Sequence, residues 1–275
     1  MNRRADAFEH DLMLAELQPA FAARSMEIRE VCWNAPDVDW GRFDAAIIGT
    51  TWDYWDRREE FLDTLTQVAR RTRLFNPLDQ VRWNIDKRYL NKLEREGAST
   101  IPSVWLESVD VASLERAFDE LGCDELVVKR QIGANAEGQH RIARGDKIPE
   151  MTEAMLVQAF QPTIESEGEY SFIFIDGSAS HALNKRPSGG DYRIQSSYGG
   201  LEFDYRPSDP EWSAAQRIVD LLDETPLYAR VDMIRGPSHG LLLMEIELIE
   251  PYLYPEQATN LGAMLAEAVA GRLEV

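Results

Sequence analysis

Apolar residues recur along this chain with two periods, about 3.6 and 2, and the switches between them mark out alternating helices and strands. Residues 5–24 carry a helical repeat of Phe8, Leu12, Leu14, Leu17 and Phe21, with Pro19 placed to kink or divide the helix. A strand over 27–33 follows, with Ile28, Val31 and Trp33 as its apolar members, and the run AAIIG within 43–55 reads as a short buried strand. A charged amphipathic helix spans 57–71, and a short strand over 72–76 precedes Pro77. The helix over 84–98 sets Ile85, Leu90 and Leu93 on one side, stops at Gly97 and forms a hinge into a new unit. Next come strand 101–108, helix 111–122, strand 125–131, the glycine-bearing loop 132–139, strand 140–144 and a helix around 148–155. Strand 156–162 leads through an acidic segment to strand 170–176, and Asp176-Gly177 is a hairpin turn returning through 178–187. A glycine-bearing stretch over 188–200, helix 210–224, strand 227–235, turn 236–240, strand 241–251 and helix 257–273 complete the pattern. An α/β unit ordinarily opens with a strand, whereas here a helix begins almost at Met1; a strand of about ten residues is therefore expected to be missing ahead of it.

One stretch breaks its own pattern. In 241–251, Leu241, Leu242, Leu243, Met244, Ile246, Leu248 and Ile249 make a buried strand, yet Glu245 and Glu247 interrupt it two residues apart. Positions i and i+2 of a strand share a face, so two carboxylates lie side by side where ionised groups are costly unless paired or metal-bound. Upstream, Arg230 and Asp232 share a face of 227–235. A hairpin that pairs Asp232 with Glu245 also pairs Arg230 with Glu247, and three acids and one arginine then share one surface. Hard cations such as magnesium take such oxygen ligands. Taken alone, the stretch fits an ordinary salt-bridged hairpin face equally well.

Composition narrows the classes. A chain of 275 residues, 44% hydrophobic and with seven tryptophans, supports two or more packed units. The formal charge of −19 argues against nucleic acid or an anionic membrane as partner. Cys32 and Cys123 sit in apolar, strand-like surroundings and are expected as buried free thiols rather than a disulfide. There is no apolar run of membrane-spanning length and no signal-peptide core, so a cytoplasmic location is the default expectation. His10, His140, His181 and His239 are scattered and form neither a triad nor a zinc pattern.

Several further residues are candidates for chemistry. Trp52, Asp53, Tyr54 and Trp55 follow the carboxyl end of a strand, where α/β folds bind ligands, although a helix cap at Asp56 with aromatic packing fits as well. Lys129 ends a strand and precedes a glycine loop, an order suited to triphosphate, although a solvated lysine at a strand end is commoner. The pattern is neither a Walker motif nor a dinucleotide fingerprint. Lys87 stands near a helix N-terminus, where the dipole disfavours a cation and an anionic partner becomes attractive. Glu169 begins a strand after Gln158 to Gln161, a segment able to present backbone groups to adenine, and its carboxylate is placed to take ribose hydroxyls. Lys185, Arg186 and Arg193, flanked by Gly189, Gly190, Gly199 and Gly200, gather positive charge on a mobile loop over anions. The alternative for Lys87 is a surface lysine, for Glu169 one more acid in an acidic loop, and for Lys185, Arg186 and Arg193 surface pairing to acids.

The order of these parts resembles the ATP-grasp superfamily. The likeness covers about residues 84–250 and is nearest to the group of glutathione synthetases, ribosomal-modification ligases and D-alanine–D-alanine ligases. The run NKRPSGGDYRIQSSYGG looks like the arginine-and-glycine loop of bacterial glutathione synthetases. The runs 52-WDYWDR-57, 82-RWNIDKRYL-90 and 245-EIELIEPYLY-254 together are similar to a branch that includes the cyclo-ligase closing the cycloserine ring from O-ureido-serine. The resemblance implies an α/β, α+β grasp fold: a Rossmann-like pre-grasp domain over 1–83, then two ATP-grasp subdomains over 84–160 and 161–275 that grip ATP. It implies that Lys87 and Lys129 bind ATP phosphates, that Gly133 to Gly138 close over them, and that Gln158, Ala159 and Phe160 line the adenine hinge with Glu169 on the ribose. Asp232, Glu245 and Glu247 would hold magnesium, two ions in all. Arg230 would face the acyl-phosphate or oxyanion, with Lys185 and Arg193 as further catalytic cations. The third metal ligand is often asparagine in the group and is Glu247 here, which strengthens the demand for two metals.

The expected activity is an ATP- and magnesium-dependent ligase that phosphorylates a small carboxylate, or a ureido oxygen, for attack by a nitrogen nucleophile. The expected partner is an amino-acid-like small molecule, and the resemblance adds homo-oligomerisation. Two competitors remain: a non-catalytic nucleotide-binding module, against which the complete acid set argues, and a small-molecule kinase of the same fold.

Overall fold

The structure, a computed structural model, describes residues 7–188, 192–194 and 199–274. In chain order the elements are α1 (Ala7–Ala22), β1 (Ala45–Ile47), α2 (Arg58–Ala69), β2 (Arg73–Phe75), α3 (Leu78–Asn84), α4 (Tyr89–Arg95), β3 (Ser103–Leu106), α5 (Val111–Leu121), β4 (Glu125–Arg130), β5 (His140–Ala143) and β6 (Met155–Ala159). There follow the one-turn α6 (Thr163–Ser166), β7 (Glu169–Ile175), β8 (Ser178–Arg186), β9 (Leu201–Asp204), α7 (Asp209–Asp220), β10 (Tyr228–Arg235), β11 (Leu241–Glu247) and α8 (Leu261–Glu274).

The strands form three sheets. β1 and β2 make a small parallel pair, β3-β6-β4-β5 a four-stranded sheet, and β11-β10-β7-β8-β9 a five-stranded antiparallel sheet. The four-stranded sheet packs one face on α5, where Leu114, Ala117 and Phe118 meet Leu126, Val128, Ile142, Met155 and Val157. Asp110 caps that helix through a reciprocal pair with Ser113, and Gly122 ends it in the left-handed conformation that a Cβ disfavours. In the five-stranded sheet Phe172, Phe174, Val231, Met233, Leu243 and Ile246 point to a core shared with α4 and α7. Part of the other face, Ile173, Ile175 and Leu183, is covered by residues of α1 and α8. The remainder of that face is charged, and the same face of the four-stranded sheet looks toward it across a cleft. The architecture is mixed α/β.

A bulge makes the β11 sequence workable. Strict alternation would put Leu241, Leu243, Glu245 and Glu247 on one face. The ladder instead shifts: Met233 pairs with Leu243 while Asp232 pairs with Glu245. Met244 is the extra residue, so Leu243 enters the core and Glu245 the cleft. The expected pairs Asp232 with Glu245 and Arg230 with Glu247 both occur.

Several local expectations fail for physical reasons. Pro19 does not divide α1, which runs unbroken through it. Residues 27–33 form no strand because no neighbour offers them a ladder; Ile28 and Trp33 instead pack against two different hydrophobic clusters. The single helix over 84–98 is two helices, α3 and α4, separated by a turn, and α3 begins earlier at Leu78. Asn84 lies at the break: its side chain bonds Ile246 O at 2.8 Å and Leu248 N at 2.9 Å, tying the turn to β11. The helix around 148–155 does not form, because Met155 is already in the β6 ladder while Ile148 and Met151 pack beneath α5. β9 was not anticipated. The two cysteines are free, but Cys32 is exposed and Cys123 half-buried, so the expectation of buried thiols is corrected.

Candidate active site

The ladder of the five-stranded sheet lays out the floor of the cleft. Glu245 stands opposite Asp232, which stands opposite Ser171, while Glu247 stands opposite Arg230. Oxygens of Asp232, Glu245 and Glu247 lie within 4.8 Å of one another. Arg230 Nε donates to both Asp232 oxygens at 3.1 and 3.0 Å, Nη1 donates to Tyr252 O at 3.2 Å, and Nη2 meets Glu247. On β8, Lys185 Nζ touches Glu169 and sits 3.4 Å from Asp232 Oδ1; the Ser171 hydroxyl donates to Asp232.

The charges sort into two kinds. Burial opposes ionisation of Asp232, but Arg230 and Lys185 outweigh it and hold the carboxyl below its usual range. Burial likewise opposes Glu245, and Lys87 and Lys129 bring it down. Glu247 goes the other way: burial, with Glu245 and Asp232 beside it, pushes it up to about 7 despite Arg230. Burial lifts Glu169 to about 8 despite Lys185. Three carboxylates so close need a proton or a cation among them. An all-oxygen set fits a hard divalent ion such as Mg2+, and Glu245 and Glu247 keep 29% and 31% of their side chains exposed to reach one.

The roof comes from the four-stranded sheet. Lys129 and Gln158, on the face away from α5, line the cleft together with Ala159 and Phe160. Burial lowers the Lys129 pKa, Lys87 adds to this, and Glu245 opposes it. Lys87 lies in the turn before α4, not at its first residue; its backbone N–H donates to Gln131 O at 2.9 Å, and Nζ donates to Gly133 O at 2.7 Å. The same Nζ is 3.6 Å from Glu245 Oε2, so Lys87 spans the glycine loop and the acid floor. Gly138 has φ +67°, and a Cβ there would meet Arg130 Nε at 2.7 Å. At the hinge the Phe160 amide is used by Glu125 O at 2.9 Å, while Arg141 lies 3.6 Å over the Phe160 ring and Tyr192 packs against it edge-on.

A third wall comes from the N-terminal unit. Of the four residues at 52–55, Trp52 and Tyr54 line the cleft. Asp53 instead accepts from Trp33 Nε1 at 2.9 Å, and Trp55 Nε1 donates to Glu137 of the glycine loop at 3.2 Å. Asp56 is inside a 3-10 turn and caps no helix; α2 is preceded by Arg57. Lys185 and Arg193 line the cleft; Arg186 bonds Asn184 and does not. Gly189 and Gly190 lie outside the described residues. The structure therefore brings Lys87, Lys129, Gly133, Gln158, Ala159, Phe160, Glu169, Lys185, Arg193, Arg230, Glu245 and Glu247 to one cleft, with Asp232 in its floor. Gly138 stands behind Arg130, off the lining. Sequence reasoning missed Glu250, Tyr252 and Tyr254, which also line it. Their only signal was an acid and two tyrosines directly after the Glu-x-Glu strand.

Comparisons with known proteins bear on the family and the fold. Residues 1–76 match the family model described as D-cycloserine synthetase DcsG, N-terminal domain. The cycloserine biosynthesis protein DcsG of Streptomyces lavendulae is 30% identical over 269 residues, which is 89% of this chain and 89% of that protein. The crystal structure of D-cycloserine synthetase DcsG superposes with a TM-score of 0.84 at 25% identity, covering 96% of this chain and 95% of that one. The ATP-grasp ligase PsnB, solved with its minimal precursor, Mg and ADP, superposes with a TM-score of 0.67 at 16% identity over 96% of this chain and 94% of that one.

Proposed function

We propose, for a chain that belongs to the DcsG family of ATP-grasp ligases, a division of labour among the cleft residues. The enzyme is an ATP-dependent ligase that forms a carbon–nitrogen bond. Lys87 and Lys129 hold the ATP phosphates, with Gly133 to Gly138 as the closing loop, while Gln158, Ala159 and Phe160 receive adenine and Glu169 the ribose. Asp232, Glu245 and Glu247 hold two Mg2+ ions. Mg2+, when bound, supplies charge neutralisation at the phosphates. The substrate is an amino-acid-like small molecule seated against Trp52 and Tyr54.

In the first step a carboxylate or ureido oxygen of the substrate attacks the γ-phosphorus and ADP departs. In the second a nitrogen attacks the activated carbon, inorganic phosphate leaves and the nitrogen gives up its proton. Arg230, Lys185 and Arg193 face the charge that builds up in both steps. No side-chain nucleophile is required, because positioning and charge neutralisation carry this chemistry.

The observation that carries the reading is the close approach of Asp232, Glu245 and Glu247 beneath Lys87, with Lys129 in the same cleft. The test is Mg2+-dependent ADP release with amino acids, O-ureido-serine and small carboxylates, with products analysed by mass spectrometry. A new carbon–nitrogen bond formed in step with ADP is expected; a phosphorylated product that leaves intact would overturn the reading in favour of a kinase.

A further inference from the structure

Glu250 is 6% exposed and lines the cleft. Its backbone carbonyl is taken by Trp52 Nε1 at 3.1 Å. Among the described residues, no hydrogen bond or salt bridge reaches its carboxylate. It lies outside the cluster formed by Asp232, Glu245 and Glu247. A carboxyl held nine-tenths buried and without a partner is costly, so a purely structural role would have given it a donor. The neighbouring cations are already engaged. Arg230 spends its donors on Asp232, Glu247 and Tyr252 O, and Lys87 bonds Gly133 O beside Glu245.

We propose that Glu250 is the subsite for the ammonium group of the substrate and selects amine-bearing substrates over amine-free ones; this rests on the ligase reading above. Lys87 and Lys129 supply cations for phosphate in this cleft, while the Glu250 carboxylate, beside Trp52 and Tyr54, offers an anion to an organic cation. Burial, reinforced by Glu247, raises the Glu250 carboxyl well above its ordinary range, and an ammonium beside it favours the charged form. An amine-free carboxylate leaves Glu250 unpaired, and polar sites left unpaired reject ligands strongly.

The test compares the wild type with Glu250→Gln, which keeps shape and loses charge. The panel holds D- and L-serine, D- and L-alanine, β-alanine and both O-ureido-serine enantiomers, each beside its N-acetyl derivative. Steady-state ADP release is read with calorimetric binding of the same compounds to the Mg·AMPPNP complex. In the wild type, N-acetylation is expected to lower kcat/KM about 100-fold or more, chiefly through KM. Glu250→Gln is expected to lose that discrimination, to weaken binding of the free amines by a similar factor, and to keep AMPPNP affinity within threefold. Its Tm without ligand should be unchanged or higher, since no partner is lost; a fall of many degrees would assign Glu250 a structural role and overturn the proposal. Turnover that Glu250→Gln retains, or that N-acetyl compounds support equally, overturns the ammonium subsite and leaves the ligase standing. Absence of ADP release by the wild type with every compound, despite AMPPNP binding, counts against the ligase reading and removes this proposal with it.

Discussion

Glu245 faces Asp232 across the β10–β11 ladder, although Leu243, two residues before Glu245, faces Met233 toward the opposite side of the sheet. The extra residue between them, Met244, lets one strand serve a core and a charged floor without a polar group entering the core. Glu245 is the member of the acid set whose near partner is Lys87, at 3.6 Å. Glu245→Gln should therefore fold normally and lower Mg2+-dependent kcat/KM at least about 100-fold, the scale of losing one charge-stabilising group at a reacting phosphate. Circular dichroism and ADP release measured against Mg2+ concentration check both halves.

Asp232 behaves differently when removed. It is 1% exposed and accepts from Arg230, Lys185 and Ser171 at once. Asp232→Ala removes the carboxylate that two buried cations share, leaving Arg230 only Glu247 and Lys185 only Glu169, and should cost about 3 kcal/mol of stability. A drop in the urea midpoint of that size is expected in Asp232→Ala and not in Glu245→Gln. Equal stability of the two variants would show that Glu247 and Glu169 suffice to hold Arg230 and Lys185.

Much of the site was legible because it is local. The Arg230, Asp232, Glu245 and Glu247 set follows from period-two alternation and one short hairpin, whose pairing a turn fixes. Lys129 and the glycine loop are contiguous, and Glu169 starts its strand where the alternation begins. What escaped depends on distant partners. Residues 27–33 have strand-like residues but no sheet edge, and strand character without a ladder is not stable. The break at Asn84 is set by hydrogen bonds to Ile246 and Leu248, more than 150 residues away in the chain. Glu250 carried no signal of its own in the sequence, because its place in the cleft is set where the chain after β11 meets Trp52.

Gly168 holds the strand that carries Glu169. Its φ is +86°, and a Cβ would collide with the backbone carbonyl of Lys185 on the neighbouring strand. Gly168→Ala must therefore strain the backbone and push β7 from β8 where Glu169 and Lys185 meet. A loss of about 2 kcal/mol or more is expected, together with weaker AMPPNP binding; thermal melts and nucleotide titration read the two effects separately.

Glu211 gives a pH dependence away from the cleft. Partial burial raises its pKa, but hydrogen bonds from Arg235, the Ser208 amide and hydroxyl, and the Tyr205 hydroxyl bring it down to about 2. The folded state thus binds this proton less readily than the unfolded chain, where a glutamate titrates near 4.5. Its contribution is present in full above that value and is lost as pH falls from there toward 2. Glu211→Gln should be less stable than wild type by about 1–2 kcal/mol at pH 7, a figure reduced for solvent screening. The gap in urea midpoint should narrow between pH 4.5 and 3; a gap constant across that range would mean that Glu211 acts through shape alone.

Nucleotide binding should depend on metal because the floor repels phosphate without it. Asp232 and Glu245 are both held below the usual carboxylate range, and their charge faces the space beneath Lys129 and Lys87. AMPPNP alone meets those carboxylates directly, whereas Mg2+ placed between them turns repulsion into attraction. With nucleotide at roughly 100 times Kd, binding stabilises the fold by about 2.7 kcal/mol, which for a domain of this size corresponds to a Tm increase of about 5–10 °C. That increase is expected with Mg2+ and AMPPNP together and should largely vanish on adding EDTA. In Glu245→Gln the same shift should be smaller with Mg2+ and nearly insensitive to EDTA, since the variant has lost both part of the repulsion and part of the metal site. An EDTA-resistant shift in the wild type would place the triphosphate away from Asp232, Glu245 and Glu247.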